Sequence, residues 1–198
     1  MLASIHPLGE RGRGTNWTLT VCAYLLASAF GGALLGGLAG AVGAVLGRVL
    51  PSSWTARAIA VVVLVGAAAA FDAFARERRV PGPRRQVDED WLSRYRGVVY
   101  GAGFGFQLGL GVTTIVTTAL VWVVPAAAVA IGSLTVGLAL GATFGLVRAL
   151  PVLAARQVDS PVALVALDTT LRRLERRVRI VTPIVAATVA AAALVLVV

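Results

Sequence analysis

Long apolar runs alternate with short segments rich in arginine and proline along this chain. The runs lie at about 17–46, 57–74, 97–123, 126–146 and 180–198, and they approach or exceed the roughly 20 residues that cross a bilayer. They predict an all-α, polytopic membrane protein with five transmembrane helices. The first run is longer than a bilayer requires. Two readings stay open for it, one tilted span or a span with an extension. After Pro161 the period changes: Leu164, Leu167, Leu171, Leu174 and Val178 alternate steps of three and four, which makes one apolar stripe. Residues 161–178 are therefore expected to form an amphipathic helix in the membrane interface. Arg172, Arg173, Arg176, Arg177 and Arg179 would then face lipid headgroups. Residues 1–16 are polar and read as a tail, leaving 17–198 as a single helical membrane domain.

Within the spans, glycine recurs every fourth residue, at Gly97, Gly101, Gly105 and Gly109 and again at Gly137, Gly141 and Gly145. Such spacing bares one helix face and lets another backbone approach closely. The stretch Gly97–Thr118 is expected to be the surface that other helices close upon. Gln107, Thr113, Thr114 and Thr117 add polar groups at membrane depth and make a candidate polar path. The competing reading has each threonine bonding back to the carbonyl one turn earlier and Gln107 bonding a neighbouring helix. Pro125 predicts a short turn between the third and fourth spans. Asp72 and Arg76, four residues apart, suggest an interfacial pair. Trp91, Tyr95 and Tyr100 are expected near headgroup level.

The 198 residues are 58% hydrophobic and only 14% charged, which is too apolar for a soluble domain of this size. The net charge of +9 would suggest nucleic acid in a soluble protein. Here all 18 basic residues are arginine, and they concentrate in two segments. Seven fall between the second and third spans (76, 78, 79, 84, 85, 94, 96) and seven between the fourth and fifth (148, 156, 172, 173, 176, 177, 179). By the positive-inside rule both segments, and the N-terminus, face the cytoplasm of a bacterial plasma membrane, with the C-terminus outside. Nucleic acid is not an expected partner. Cys22 and His6 are the single cysteine and histidine, so no intrachain disulfide and no His/Cys metal or haem site is expected. No catalytic residue or cofactor is expected either, which gives an entirely non-enzymatic reading.

Two internal echoes stand out. GLAGAVGAVLGRVLP (37–51) and GLALGATFGLVRALP (137–151) agree at seven of fifteen positions, a possible inverted repeat of the kind transporters use. RQVD occurs at 85–88 and 156–159, and each copy is expected to end a loop and cap the next helix.

The segment GFGFQLGLGVTTI, Gly103 to Ile115, resembles the glycine-rich helix of cytochrome c biogenesis thiol carriers of the CcdA/DsbD type, whose pattern has the form GFxFxxGWTPC. Gly111, Val112 and Thr113 take the Gly-Trp-Thr places, and Thr114 and Ile115 fall where the family has proline and its redox cysteine. The resemblance implies a cysteine-less member of that family. Three functions follow as expectations: a non-catalytic subunit or assembly and maturation factor of a larger membrane complex, a small inverted-repeat transporter, or a redox carrier using a partner's cysteines. The expected partners are the lipid bilayer and either other membrane subunits or further copies of the chain.

Overall fold

The structure, a computed structural model, describes residues 5–74, 94–111 and 118–197, with side chains at all of these except 175, 176, 179, 189 and 191–197. Among the described residues there are helices and no strands. A short helix α1 (Pro7–Gly12) leads into α2 (Trp17–Val49) and α3 (Trp54–Phe74). Then come α4 (Gly97–Leu110), α5 (Leu120–Ile131) and α6 (Leu134–Ala149). A 3-10 helix, Leu150–Gln157, precedes the long α7 (Pro161–Val197).

Three stretches are long and apolar enough to cross a membrane: Trp17–Val49, Trp54–Phe74 and Leu134–Gln157. That is fewer than the five expected, for identifiable reasons. The expected third span, 97–123, ends at Gly111, whose φ of +66° closes α4 after 14 residues. The expected fourth span, 126–146, is divided at Gly132, which takes a left-handed conformation and caps α5. Ser133 then caps α6 by accepting the Val136 N–H at 3.4 Å. Pro125, where a turn was expected, lies inside α5. Proline inside a membrane helix is tolerated when neighbours satisfy the freed carbonyl, so glycine and serine set the turn. The expected interfacial helix (161–178) and fifth span (180–198) form one continuous α7 that runs through Pro183 and packs along α3. The cap of α7 is Ser160, whose Oγ accepts the Ala163 N–H at 3.3 Å; Asp159 of the second RQVD does not fill that place. The first RQVD, Arg76 and Trp91 lie outside the described residues.

Helix α2 is the element on which α4, α5 and α6 pack. Its 33 residues would extend about 50 Å, against about 30 Å for a bilayer's hydrocarbon core. Alongside its N-terminal half lies α4, running parallel: Gly101 meets Thr20, Gly105 meets Tyr24 and Gly109 meets Ser28. Alongside its C-terminal half lies α6, running antiparallel: Gly145 meets Ser28, Gly141 meets Gly32 and Gly137 meets Gly36. Ser28 is where the three helices converge, and its hydroxyl donates to the Gly145 carbonyl at 2.7 Å.

The α2–α6 contact is reciprocal. A Cβ built on Gly32 would strike the Gly141 carbonyl, and one on Gly141 would strike the Gly32 carbonyl. Gly36 and Gly137 stand in the same relation. Gly40 meets Ser133 as Gly145 meets Ser28. The pseudo-twofold thus relates Ser28, Gly32, Gly36 and Gly40 to Ser133, Gly137, Gly141 and Gly145. This is not the register of the 37–51 and 137–151 echo, because Gly37 meets the Leu138 side chain while Gly137 meets Gly36.

Candidate functional site

Helices α4 and α5 run in the same direction beside α2, α4 along its first half and α5 near Gly43. The two helices present four ends between them. Each end carries unsatisfied backbone groups and about half an elementary charge. In this protein a charged side chain from another element meets every one of the four ends, with the sign that the helix dipole favours.

The N-terminal end of α4 is met by Glu10. Residues 5–16, which read as a polar tail in the sequence, fold back over the end of α2 and α4. His6 caps α1 with Nδ1, which accepts the Gly9 N–H at 3.0 Å. The Leu8 N–H donates to the Val158 carbonyl at 3.3 Å and ties α1 to the segment after the 3-10 helix. Glu10 is thereby carried beside Gly97, where its Oε2 lies 3.0 Å from the position a Cβ would take. Its carboxylate is fully buried, and so are Tyr100 and Thr20. Oε1 accepts from the Tyr100 hydroxyl and from Arg13 Nη2 at 2.7 Å. Oε2 accepts from Thr15 Oγ1 at 2.6 Å and Thr20 Oγ1 at 2.9 Å. Four donors fill the acceptor sites of one carboxylate, which makes its burial tolerable. The Arg13 guanidinium also lies over the Tyr100 ring, 5.6 Å from its centroid. Ile5, Val21, Tyr24, Phe104, Ala149 and Val152 pack around Tyr100 as the apolar core of this end.

The other three ends depend on the apolar helices. Arg148 of α6 donates to the carbonyl of Gly111, the cap of α4, at 3.4 Å. Asp72 of α3 accepts the Ala119 N–H at 2.7 Å and the Leu120 N–H at 3.4 Å, at the start of α5. Arg57 of α3 donates from Nη1 to the Ile131 carbonyl at 3.1 Å, at the end of α5. Helix α3 therefore holds α5 at both ends with opposite charges, as its antiparallel course requires. Asp72 had been expected to pair with Arg76; its described partners are the backbone amides of α5.

The sequence-predicted residues are placed as follows. Gly97, Gly101, Gly105 and Gly109 face α2 or the Glu10 cluster, and Gly137, Gly141 and Gly145 face α2. Gln107 is half-buried on α4, turned away from the glycine face. Thr113, Thr114 and Thr117 lie outside the described residues, so of the four candidates for a polar path only Gln107 is described. Arg172, Arg173 and Arg177 are exposed on α7, and Arg172 pairs with Asp168 at 2.8 Å. The side chains of Arg176 and Arg179 lie outside the described set. Tyr100 is buried at the Glu10 cluster, whereas Tyr95 is exposed. Among the described residues no group of three His, Cys, Asp or Glu could hold a metal ion. Sequence reasoning passed over Glu10, Arg57 and Arg148. The available signal was an isolated charge at the edge of an apolar helix.

This arrangement is a helical fold closed by glycine packing around α2, with three stretches long and apolar enough to cross a membrane. The chain is similar to the methylamine utilization proteins MauF of Paracoccus versutus (36% identical over 155 residues) and Paracoccus denitrificans (35% over 157). It is also similar to MauF of Methylophilus methylotrophus (29% over 155 residues). Each match covers 76% of this chain and 53–55% of the relative, so the chain spans about half the length of the curated relatives it matches. No family model matches, and no solved structure matches. These relatives overturn the resemblance to the CcdA/DsbD-type thiol carriers, to which nothing points. Glycine every fourth residue is what any closely packed membrane helix requires, and the helix carrying the motif stops at Gly111.

Proposed function

We propose that this chain is a membrane-embedded accessory protein of methylamine utilisation, which acts in the assembly or maturation of a partner complex and carries out no chemistry itself. The observation that carries the reading is the similarity to MauF across 76% of the chain. The structure is compatible with it in kind: helices of membrane-spanning length, and charged groups engaged in holding helix ends. The proposed setting is the bacterial plasma membrane with the N-terminus cytoplasmic and the C-terminus outside, from the arginine distribution. The redox-carrier reading rested on the thiol-carrier resemblance and falls with it.

The test is affinity purification of the tagged chain from membranes of a methylamine-grown bacterium that encodes it, followed by mass spectrometry. The expected result is stoichiometric recovery of another protein required for growth on methylamine. Deletion should abolish the activity of that partner while leaving its polypeptide present. Recovery of the chain alone, together with an unimpaired methylamine-oxidising enzyme in the deletion strain, would overturn the reading.

A further inference from the structure

The middle turns of α7 have two unlike sides. Pro183 and Ala190 share a buried side, and α3 is the helix along which α7 packs. About a third of a turn round the helix lies an exposed side with Arg173, Arg177, Ile180, Val181 and Ile184. Ile180, Val181 and Ile184 follow Arg177 by three, four and seven residues, and Arg173 precedes it by four. Helical spacing therefore stacks all five on one face. Arg172, which pairs with Asp168 at 2.8 Å, falls on the side of Pro183 and takes no part. Two guanidinium groups thus head an exposed apolar strip. Along the axis Ile180 lies about 5 Å beyond Arg177, and Arg173 stands about 10 Å before Ile180. A phospholipid leaflet has the same order on the same scale, a headgroup layer of about 5–7 Å over hydrocarbon.

We propose that this face of α7 is a binding site for an anionic phospholipid, with the phosphate between Arg173 and Arg177 and an acyl chain along Ile180, Val181 and Ile184. The order of charge and apolar surface selects the occupant. A soluble anion would complement the arginines and leave the isoleucines in water. An apolar partner helix would cover the isoleucines and leave the arginines unmatched. A zwitterionic lipid brings its own cation to the level of the guanidinium groups. Arginine suits the phosphate because its planar fork bonds two oxygens at once. The helix course narrows the site further. The sequence alone suggested that 161–178 lies flat in the interface, but α7 continues unbroken from Pro161 to Val197. A helix that passes from its arginines straight into apolar turns enters a bilayer end-on, so headgroups meet the two turns above Ile180 and not the whole amphipathic length.

The test uses the full chain in detergent, titrated with palmitoyl-oleoyl phosphatidylglycerol or phosphatidylcholine, with occupancy read by native mass spectrometry. An arginine at an anionic surface is worth about fivefold in affinity and a pair about thirtyfold. The parent protein should therefore prefer the anionic lipid by about that factor, less as salt is raised. Arg173→Gln together with Arg177→Gln should bring the two lipids to near parity. Arg11→Gln together with Arg156→Gln removes the same charge from other exposed positions and should leave the preference intact. Equal affinity of the parent for both lipids would overturn the proposal, as would an unchanged preference in the Arg173, Arg177 pair. An equal loss in the Arg11, Arg156 pair would overturn it too, because net charge alone would then explain the binding. A photoreactive side chain at Ile184 should capture phospholipid in native membranes, and capture of a polypeptide instead would overturn the face as a lipid site. Inorganic phosphate should not displace phosphatidylglycerol; displacement by phosphate alone would show that the apolar strip contributes nothing and would refute the site as drawn.

Discussion

Glu10 is the residue on which the most depends locally. Its carboxylate is buried with four donors around it, so removing it takes the acceptor from the buried Tyr100 hydroxyl, while Thr20 keeps the Asn16 carbonyl at 3.1 Å. Breaking such a buried charged network costs about 3–5 kcal/mol, and Glu10→Ala is expected to lower the detergent melting point by that order. Tyr100→Phe removes one donor from a satisfied acceptor and should cost about 1 kcal/mol. Equal losses for the two variants would show that the carboxylate is not the hub. His6 makes the same region sensitive to pH. Burial, helped by the Arg13 charge and opposed by Glu10, lowers the His6 pKa below its ordinary 6.5. The unfolded segment therefore binds the proton first on acidification. Stability from the neutral imidazole is complete above about pH 6.5 and is lost as pH falls toward the lowered value. Protonation also removes the Nδ1 acceptor that caps α1. Hydrogen exchange at the amides of Glu10 and Arg13, taken relative to its intrinsic rate at each pH, should accelerate between pH 7 and 5 in the parent. His6→Asn keeps a capping oxygen and should abolish that acceleration. Exchange that stays flat with pH in the parent would refute the cap's role.

At the scale of elements, the glycines explain why so little side-chain volume holds these helices. Lipid is as apolar as leucine, so helices associate through close backbone contact, and a bare face every fourth residue provides it. At Gly36 and Gly105 an added Cβ would collide with a backbone carbonyl of the neighbouring helix, which cannot swing aside. Gly36→Ala and Gly105→Ala should each destabilise by about 1–3 kcal/mol, as overpacking does. Gly66 on α3 has open space where its Cβ would be, and Gly66→Ala should be neutral or stabilising by up to about 1 kcal/mol. Because Gly36 and Gly137 face each other across one contact, the Gly36→Ala, Gly137→Ala pair should cost less than the sum of its members. Strict additivity in melting measurements would show that the two helices separate there. The clamp of α3 on α5 gives a smaller effect. Asp72→Asn weakens the charge at the α5 N-terminus and should cost about 0.3–2 kcal/mol, more in low salt than in high if the site is accessible to ions.

For the whole molecule, the helical membrane class was legible because hydropathy and arginine placement respond directly to the bilayer. The glycine faces were legible because their spacing matches the helical repeat. The end of α4 at Gly111 and the turn at Gly132–Ser133 were not, since isolated glycines among many look alike until a positive φ singles out these two and Gly14. Pro125 drew the turn to itself, although a membrane helix can absorb a proline. The Glu10 cluster was hidden for a different reason. Its members at 10, 13, 15, 20 and 100 come together only through packing, and no local period joins them. The moved turn gives the sharpest test of the architecture. Arg57 joins Ser52 and Ile131 through hydrogen bonds, so the α2–α3 turn and the α5–α6 turn lie at the same end of the molecule. The α1 segment and the residue after the 3-10 helix meet through Leu8 and Val158 at the other. With Cys22 changed to alanine, single cysteines at Ser52 and Ser133 should react with a membrane-impermeant thiol reagent added from one side of sealed vesicles. A cysteine at Gly12 should react only from the opposite side, and one at Pro125 should react slowly from either because it lies within α5. Rapid labelling at 125 with protection at 133 would restore the turn at proline and refute the turn at Gly132–Ser133. Labelling of 12 and 133 from one side would mean that the chain crosses a different number of times between them.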